Sequence, residues 1–518
     1  MLRHVLPALI AFPLLAQSPV PADFDAFVAR TMKAFDVPGI AVTVVKDGKV
    51  ALAKGYGLRK LGSPEGVDAH TLFGIASNSK AFCAASVAIL VDEGKLSWDD
   101  PVIKHLPGFK LADPYVTREL TLRDLLSHRS GLGLGAGDLM YWPDTAFTRE
   151  KVLAGAAHLK PASSFRSRYA YNNLGFVVVG EIVGKVAGMP WETFVAERIF
   201  KPLGMTETRI TSDGIPDTAN VAFPHAKGWR QDLPMAPTGR TRDLVWAAAA
   251  GLKSNVTDLA KWVTCQLEQG KLPDGKQLIS PKAIHEMWSI QMPLRTPVKP
   301  TAGMEEATPQ FSGYGMGWFL RDYAGHKVVS HTGGLTGMVT TVVMVPDQKL
   351  GLVVLTNQEQ GDAFNAVVYH LLDHALGRAP KDWTTLLHKR HAEKLAENQK
   401  ALQDAEAKRD KASRPSLPLE RYAGTYHDAW YGDVVIAQEG GKLAIRFAPT
   451  PVAAGELQPW QQDTFRAVFQ DPNFPDAYLT FRLDAAGAIE GIKMAPTSDL
   501  ADFSFDYQDL DLRPVKGK

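Results

Sequence analysis

Ser77-Asn78-Ser79-Lys80 sets a hydroxyl and an amine three residues apart. On a helix that spacing puts them one above the other on a single face. A serine hydroxyl is a weak nucleophile until a base takes its proton, and a neighbouring amine is such a base. Taken alone the pattern is cheap: at average composition a chain of this length holds about two by chance. An N-cap serine followed by an exposed lysine is the ordinary reading. The residues that follow argue otherwise, because Lys80 leads into "AFCAASVAIL", apolar nearly all round. A lysine opening a buried helix is costly unless it has partners or a task. The positive end of the helix dipole also disfavours its ammonium form, which pushes it toward a usable base.

Two further groups bear on the same chemistry. Tyr171-Asn172-Asn173 precedes the apolar "LGFVVVGEIV". A tyrosine beside Lys80 can relay protons and an Asn amide can bind a substrate carbonyl, although a tyrosine packed under a helix is the default. His331-Thr332-Gly333-Gly334 follows the apolar "KVV" of a strand-like run. Glycines there permit the close backbone approach that a substrate and an oxyanion hole require; a tight turn is the other reading. No Gly-x-Ser-x-Gly elbow is present. His370 and His374 stand one helical turn apart, but Asp373 occupies the place where the zinc spacing needs Glu, and no third ligand declares itself. That stretch reads as a surface helix, and His388 and His391 read as solvated. No metal and no cofactor is expected.

The elements that must position these residues follow from periodicity. "GIAVTVVKDGKVALAKGYG" is two strand-like runs around Lys46-Asp47-Gly48-Lys49, a hairpin signal. "KAFCAASVAILVDEGKL" reads as a helix ending near Gly94. "KVVSHTGG", "VTTVVMVP" and "LGLVVLTN" are strand-like and precede the helical "DAFNAVVYHLLDHALG". Strands at both ends with helices between predict an α+β domain over residues 24–378, one antiparallel sheet flanked by helices with an inserted helical region. A charged linker helix is expected within 383–416, rich in Ala, Glu, Lys and Leu. From 417 to 518 short strand-like runs and Gly-containing turns predict a small all-β meander or barrel.

At 518 residues the chain is long enough for about two to four domains. Lys+Arg 57 against Asp+Glu 56 gives no electrostatic reason to expect nucleic acid or an anionic membrane surface. Cys83 and Cys265 both lie in helical patterns and read as buried free thiols. Residues 1–18 read as a signal peptide: Arg3 and His4, an apolar run from Val5 to Leu15, then Ala16. That run is short of the roughly 20 residues a spanning helix needs, so export to the periplasm or outside is expected without stable membrane insertion.

Ser-x-x-Lys, Tyr-x-Asn and His-Thr-Gly, in this order and separated by 94 and 160 residues, resemble the serine β-lactamase and penicillin-binding-protein superfamily. The resemblance is closest to its class C, D-aminopeptidase and esterase branch. "LTLRDLLSHRSGL", "PLGMTET", "GLKSNVTDLAKW" and "YGMGWF" look familial too. The resemblance implies that Ser77 forms an acyl-enzyme, that Lys80 and Tyr171 share the acid and base work, and that Asn173 binds the substrate's amide side. It also implies an oxyanion hole from the backbone N–H groups of Ser77 and Gly334, beside Thr332 and Gly333 on the strand. His331 is the departure, standing where β-lactamases and carboxypeptidases carry lysine. The C-terminal β-domain resembles the lipocalin-like domains of some peptidases of this family. A secreted hydrolase of peptide, amide or ester bonds is therefore expected, with oligomerisation open. A β-lactamase is the alternative, and a non-catalytic penicillin-binding or scaffold protein is the alternative of another class. Every motif position holds a competent residue, which argues against the scaffold.

Overall fold

The computed structural model describes residues 18–240 and 244–515, so the expected signal segment lies outside the described residues except for Ser18. The central sheet has eight antiparallel strands: β1 (Gly39–Lys46), β2 (Lys49–Gly57), β3 (Met292–Leu294), β4 (Ser312–Tyr314), β5 (Phe319–Tyr323), β6 (His326–Leu335), β7 (Met338–Val345) and β8 (Leu350–Thr356). Their spatial order is β2-β1-β8-β7-β6-β5-β4-β3, so the first hairpin docks against the last strand. Asp47 and Gly48 both take positive φ (52° and 73°), the geometry a two-residue hairpin with the sheet's twist requires.

Both faces of this sheet are buried, and the side-chain period of two divides them. Along β1, Ile40, Val42 and Val44 join one core, while Ala41 and Val45 join the other. The first core is closed by α1 (Phe24–Ala34), α5 (Gly361–Ala375) and α6 (Trp383–Lys408). The second holds α2 (Ser79–Asp92), α3 (Leu174–Ala187) and α4 (Val256–Leu267) from the inserted helical region. No single described helix is long and apolar enough to cross a membrane.

The stretch read as a surface helix around His370 is instead a packing element. One face of α5 is buried against the sheet, His370 stacks on Phe27 at 3.8 Å, and Asp373 accepts hydrogen bonds from Tyr323 Oη and Trp383 Nε1, both at 2.7 Å. The first bond ties α5 to β5 and the second holds α6 to the domain. His391 is likewise half-buried and bonds Gln360 at 2.9 Å, whereas His388 is exposed. Cys83 and Cys265 are free and buried.

Beyond α6 the chain forms a second eight-stranded sheet: β9 (Gly424–Asp428), β10 (Gly432–Glu439), β11 (Lys442–Phe447), β12 (Ala454–Gln461), β13 (Thr464–Phe469), β14 (Ala477–Leu483), β15 (Ile489–Pro496) and β16 (Arg513–Pro514). It is an up-and-down meander that curls back on itself, with Ile492 N–H donating to the Leu512 carbonyl at 2.8 Å. The result is a nearly closed barrel. Its aromatic core, which includes Tyr422, Phe465 and Phe481, is continuous with the second core of the sheet domain.

Candidate active site

Ser77 lies in a single 3-10 turn, Ala76–Asn78, that leads directly into α2. Ala76 immediately before it has φ +49°, a backbone conformation that carries a cost of about 1–3 kcal/mol for a residue with a side chain. Such strain persists only where the surroundings impose it, and here β6 does so. An added Cβ at Gly333 would stand 2.2 Å from the Ile75 carbonyl oxygen and 2.9 Å from Ala76 Cβ. Glycine at 333 is what lets the strand approach the turn that carries the serine. Thr332 and Gly334 alternate to the exposed side, and a Cβ at Gly334 would meet nothing within 4 Å.

Lys80, one turn further into α2, is fully buried. Its Nζ contacts Ser77 Oγ at 3.0 Å, Asn173 Oδ1 at 2.6 Å and the Ala249 carbonyl at 3.0 Å. Burial pushes its pKa down to about 7, against the opposing pull of Asp138 and, more weakly, of Cys83. In the neutral amine, two N–H bonds serve Asn173 and Ala249, which leaves the lone pair for the Ser77 hydroxyl proton. Tyr171 hydrogen-bonds Ser77, and burial holds its phenol well above the usual tyrosine range. Its ring lies 4.8 Å from Lys80 Nζ.

His331 is buried on β6 beside this group. Its Nδ1 lies 2.6 Å from the Thr332 carbonyl, an acceptor only, so Nδ1 carries the proton and Nε2 accepts from Tyr314 Oη at 2.8 Å. Burial, with Lys80 adding to it, lowers its pKa to about 3. The imidazole is neutral at any physiological pH. Tyr171, the second motif's tyrosine, is not its hydrogen-bond partner; the two rings stand 6.3 Å apart between centroids.

The Asn173 amide is committed inward: Oδ1 accepts from Lys80, and Nδ2 donates to Asp138 Oδ2 at 2.8 Å. All eight residues singled out by motif therefore converge, and seven of them, with Lys80 beneath, line one cleft of about 650 Å³. A family model described as Beta-lactamase matches residues 24–377. The chain belongs to this family. A second model, a domain of unknown function (DUF3471), matches residues 408–514.

Proteins similar to this chain include an unguisins hydrolase from Aspergillus campestris, 30% identical over 81% of this chain and 78% of the relative. Protein flp of Staphylococcus aureus is 25% identical over 64% of this chain and 62% of its own length. Two solved structures share the fold. The octameric penicillin-binding protein homologue from Pyrococcus abyssi covers 95% of this chain and 99% of its own, at TM-score 0.60 and 23% identity. A class C β-lactamase from Rhodobacter sphaeroides covers 69% of this chain and all of its own, at TM-score 0.54 and 23% identity. The protein is thus a hydrolase of the serine β-lactamase family.

Several members of the site lie outside the three catalytic motifs, two of them in stretches that resemble the family and one, Asp138, in neither. Asp138 lies in the glycine-rich "GLGLGAGDLMYW", His128 sits behind Tyr171 at 4.4 Å between ring centroids, and Tyr314 opens "YGMGWF". The far wall of the cleft comes from the barrel, through Asn473, Pro475 and the loop 500–505. Phe503 meets the Tyr171 ring edge-on at 5.6 Å. Asp502 and Glu359 add carboxylates to the lining, and no Lys or Arg occurs among the described lining residues. The alternation of acid and aromatic in "DFSFD", 502–506, is the one trace of this wall in the sequence.

Proposed function

We propose that the protein is an exported serine hydrolase that cleaves amide or ester bonds of small peptide-like substrates through an acyl-enzyme on Ser77. The observation that carries this reading is the contact of Lys80 Nζ with Ser77 Oγ at 3.0 Å, in a burial that leaves the amine half-deprotonated near neutrality. Ser77 Oγ attacks the carbonyl carbon and its proton passes to Lys80. The tetrahedral oxyanion is met by the backbone N–H groups of Ser77 and Gly334. Collapse expels the amine or alcohol, which takes a proton from Lys80 through the Tyr171 hydroxyl. Water then repeats the attack on the acyl carbon and releases the acid. Tyr171 acts as a protonated relay, since its raised pKa keeps the phenol from serving as the primary base.

The lining favours substrates without a carboxylate next to the scissile bond. His331 is neutral, and the described lining offers an anion no Lys or Arg but only the carboxyl groups of Asp502 and Glu359, whose pKa values burial raises. β-Lactams and peptides ending in a free carboxylate are therefore poor substrates in this reading. The relative named for hydrolysing unguisins agrees with a substrate class outside β-lactams. The test is a fluorophosphonate label with site mapping, followed by rates on a neutral ester, an amino-acid amide, a D-peptide and a penicillin. A label on Ser77 and faster ester, amide or peptide turnover than penicillin turnover is expected. A label elsewhere, or penicillin as the best substrate, overturns it.

A further inference from the structure

We infer that Asp138, gripped by Ser504 of the C-terminal barrel, is a positioning residue that fixes the Asn173 amide toward Lys80, so that the barrel completes the proton-handling site. The inference rests on the reading of Ser77 and Lys80 as the reacting pair.

Asp138 has no exposure to solvent. Three donors converge on its carboxylate: Tyr141 Oη on Oδ1 at 2.5 Å, with Asn173 Nδ2 and Ser504 Oγ on Oδ2, both at 2.8 Å. A carboxylate only accepts, so it compels the Asn173 NH2 to face it and the amide oxygen to face Lys80. With the amide turned over, donor would oppose donor at Lys80 and acceptor would oppose acceptor at Asp138. Both bonds would be lost in a buried setting. Asp138 thereby acts on Lys80 through one intervening side chain.

The barrel holds this arrangement on both sides. Asp506 accepts from the N–H groups of Gly137 at 2.7 Å and Leu139 at 3.2 Å, the two neighbours of Asp138. Gly135, two residues earlier, lies so close to the barrel that a Cβ would stand 2.5 Å from the Phe503 carbonyl oxygen. A glycine-rich loop of the hydrolase domain, with positive φ at Gly135 and Gly137, has been shaped by the 502–506 loop of another domain. The titratable groups that bear on Lys80 are Asp138, Cys83 on its own helix, and His128, His331 and Tyr171 around it. Those that bear on Asp138 are Lys80, Tyr141 and Asp506. His128 and His331 are held neutral by burial. Burial also raises the Asp138 carboxyl to about 7, against its three donors and Lys80, so above that pH Asp138 is the negative charge nearest the amine along the hydrogen-bonded chain.

The test compares full-length wild type with Asp138→Asn, Asp138→Ala and Ser504→Ala. Two quantities are read: titration of the Lys80 side chain by 13Cε chemical shift, and the pH dependence of fluorophosphonate labelling. Removing the carboxylate's charge removes the attraction that favours the Lys80 ammonium form. Asp138→Asn should therefore move the Lys80 midpoint to lower pH by about one unit. Asp138→Ala should also lower the plateau labelling rate about tenfold or more, because Asn173 is no longer oriented. Ser504→Ala should shift the midpoint in the same direction by a smaller amount. A purely structural role for these residues would lower melting temperature without moving the midpoint. Coincident Lys80 midpoints in wild type and Asp138→Asn, or wild-type behaviour of Ser504→Ala in both readouts, would overturn the inference. A wild type that takes no label at Ser77 would defeat the catalytic reading, while the Lys80 titration would still decide the role of Asp138.

Discussion

Lys80 is the residue on which the chemistry turns, and its protonation has a definite sign. Burial lowers its pKa to about 7, so the amine is available as a base above that value and lost below it. For a neutral ester, kcat/KM should rise as pH passes upward through about 7 and level off above it. A limb at the usual lysine value would contradict this account. Ser77→Ala removes the nucleophile itself and should cost at least about a thousandfold in kcat, with no fluorophosphonate adduct. At His331 the expectation concerns selectivity. The neutral ring offers nothing to a substrate carboxylate, whereas lysine would offer an amine that such a carboxylate can hold in its cationic form. His331→Lys should raise penicillin turnover relative to that of a neutral ester, read as the ratio of the two kcat/KM values. An unchanged ratio would show that His331 serves only its bonds to Tyr314 and Thr332.

Strand β6 and the turn before α2 work as one unit, joined by the close approach at Gly333. A side chain there must displace the Ile75 carbonyl or the Thr340 hydroxyl, which a Cβ would approach to 2.6 Å. Gly333→Ala should destabilise the fold by about 1–3 kcal/mol and slow acylation, since the turn it displaces carries Ser77. The neighbouring Gly334→Ala is the control, because its Cβ enters open space. It should leave thermal stability nearly unchanged and act instead on KM, as it narrows the cleft. Thermal melts of both variants with matching ester kinetics check the pair. Equal stability loss would mean that the glycines matter for strand propensity rather than for the approach to the serine.

The barrel changes what the whole molecule can tolerate. By sequence, a chain ending near residue 380 keeps all its catalytic residues and an independent core. The tertiary contacts argue against that independence. Removing the barrel would strip Asp138 of Ser504, leave the Gly137 and Leu139 N–H groups without Asp506, and break the bond from Ala146 N–H to the Pro449 carbonyl at 2.8 Å. It would also uncover the apolar cluster that the two domains share, and part Arg230 from the Asp476 carboxylate it shares with Arg466. The truncated chain should melt well below the full protein and self-associate on size-exclusion chromatography. A monomer with unchanged melting and ester kinetics would reduce the barrel to ballast.

Some of this was legible without coordinates, and the reason is locality. Alternation in "AVTVV" and "VTTVVMVP" specifies strands with buried faces, and the apolar run after Lys80 specifies a buried helix whose first turn carries an amine below a serine. Those are patterns over a few residues, written in every copy of the chain. Ser77 and Lys80 stand out by that local pattern, whereas Tyr171, Asn173 and the 331–334 strand are each weak alone and take their roles from the resemblance of the three motifs together. The rest of the site is made of pairings that leave no local trace. Asp138 meets Ser504 across 366 residues of chain, and Lys80 meets the Ala249 carbonyl across 169. An aspartate in a glycine-rich loop has no periodicity to betray its partners, and a barrel loop gives no sign of the cleft it will wall. Spacing along the chain determined which residues could react, whereas only packing decided which groups would surround them and draw the amine's pKa down toward neutrality.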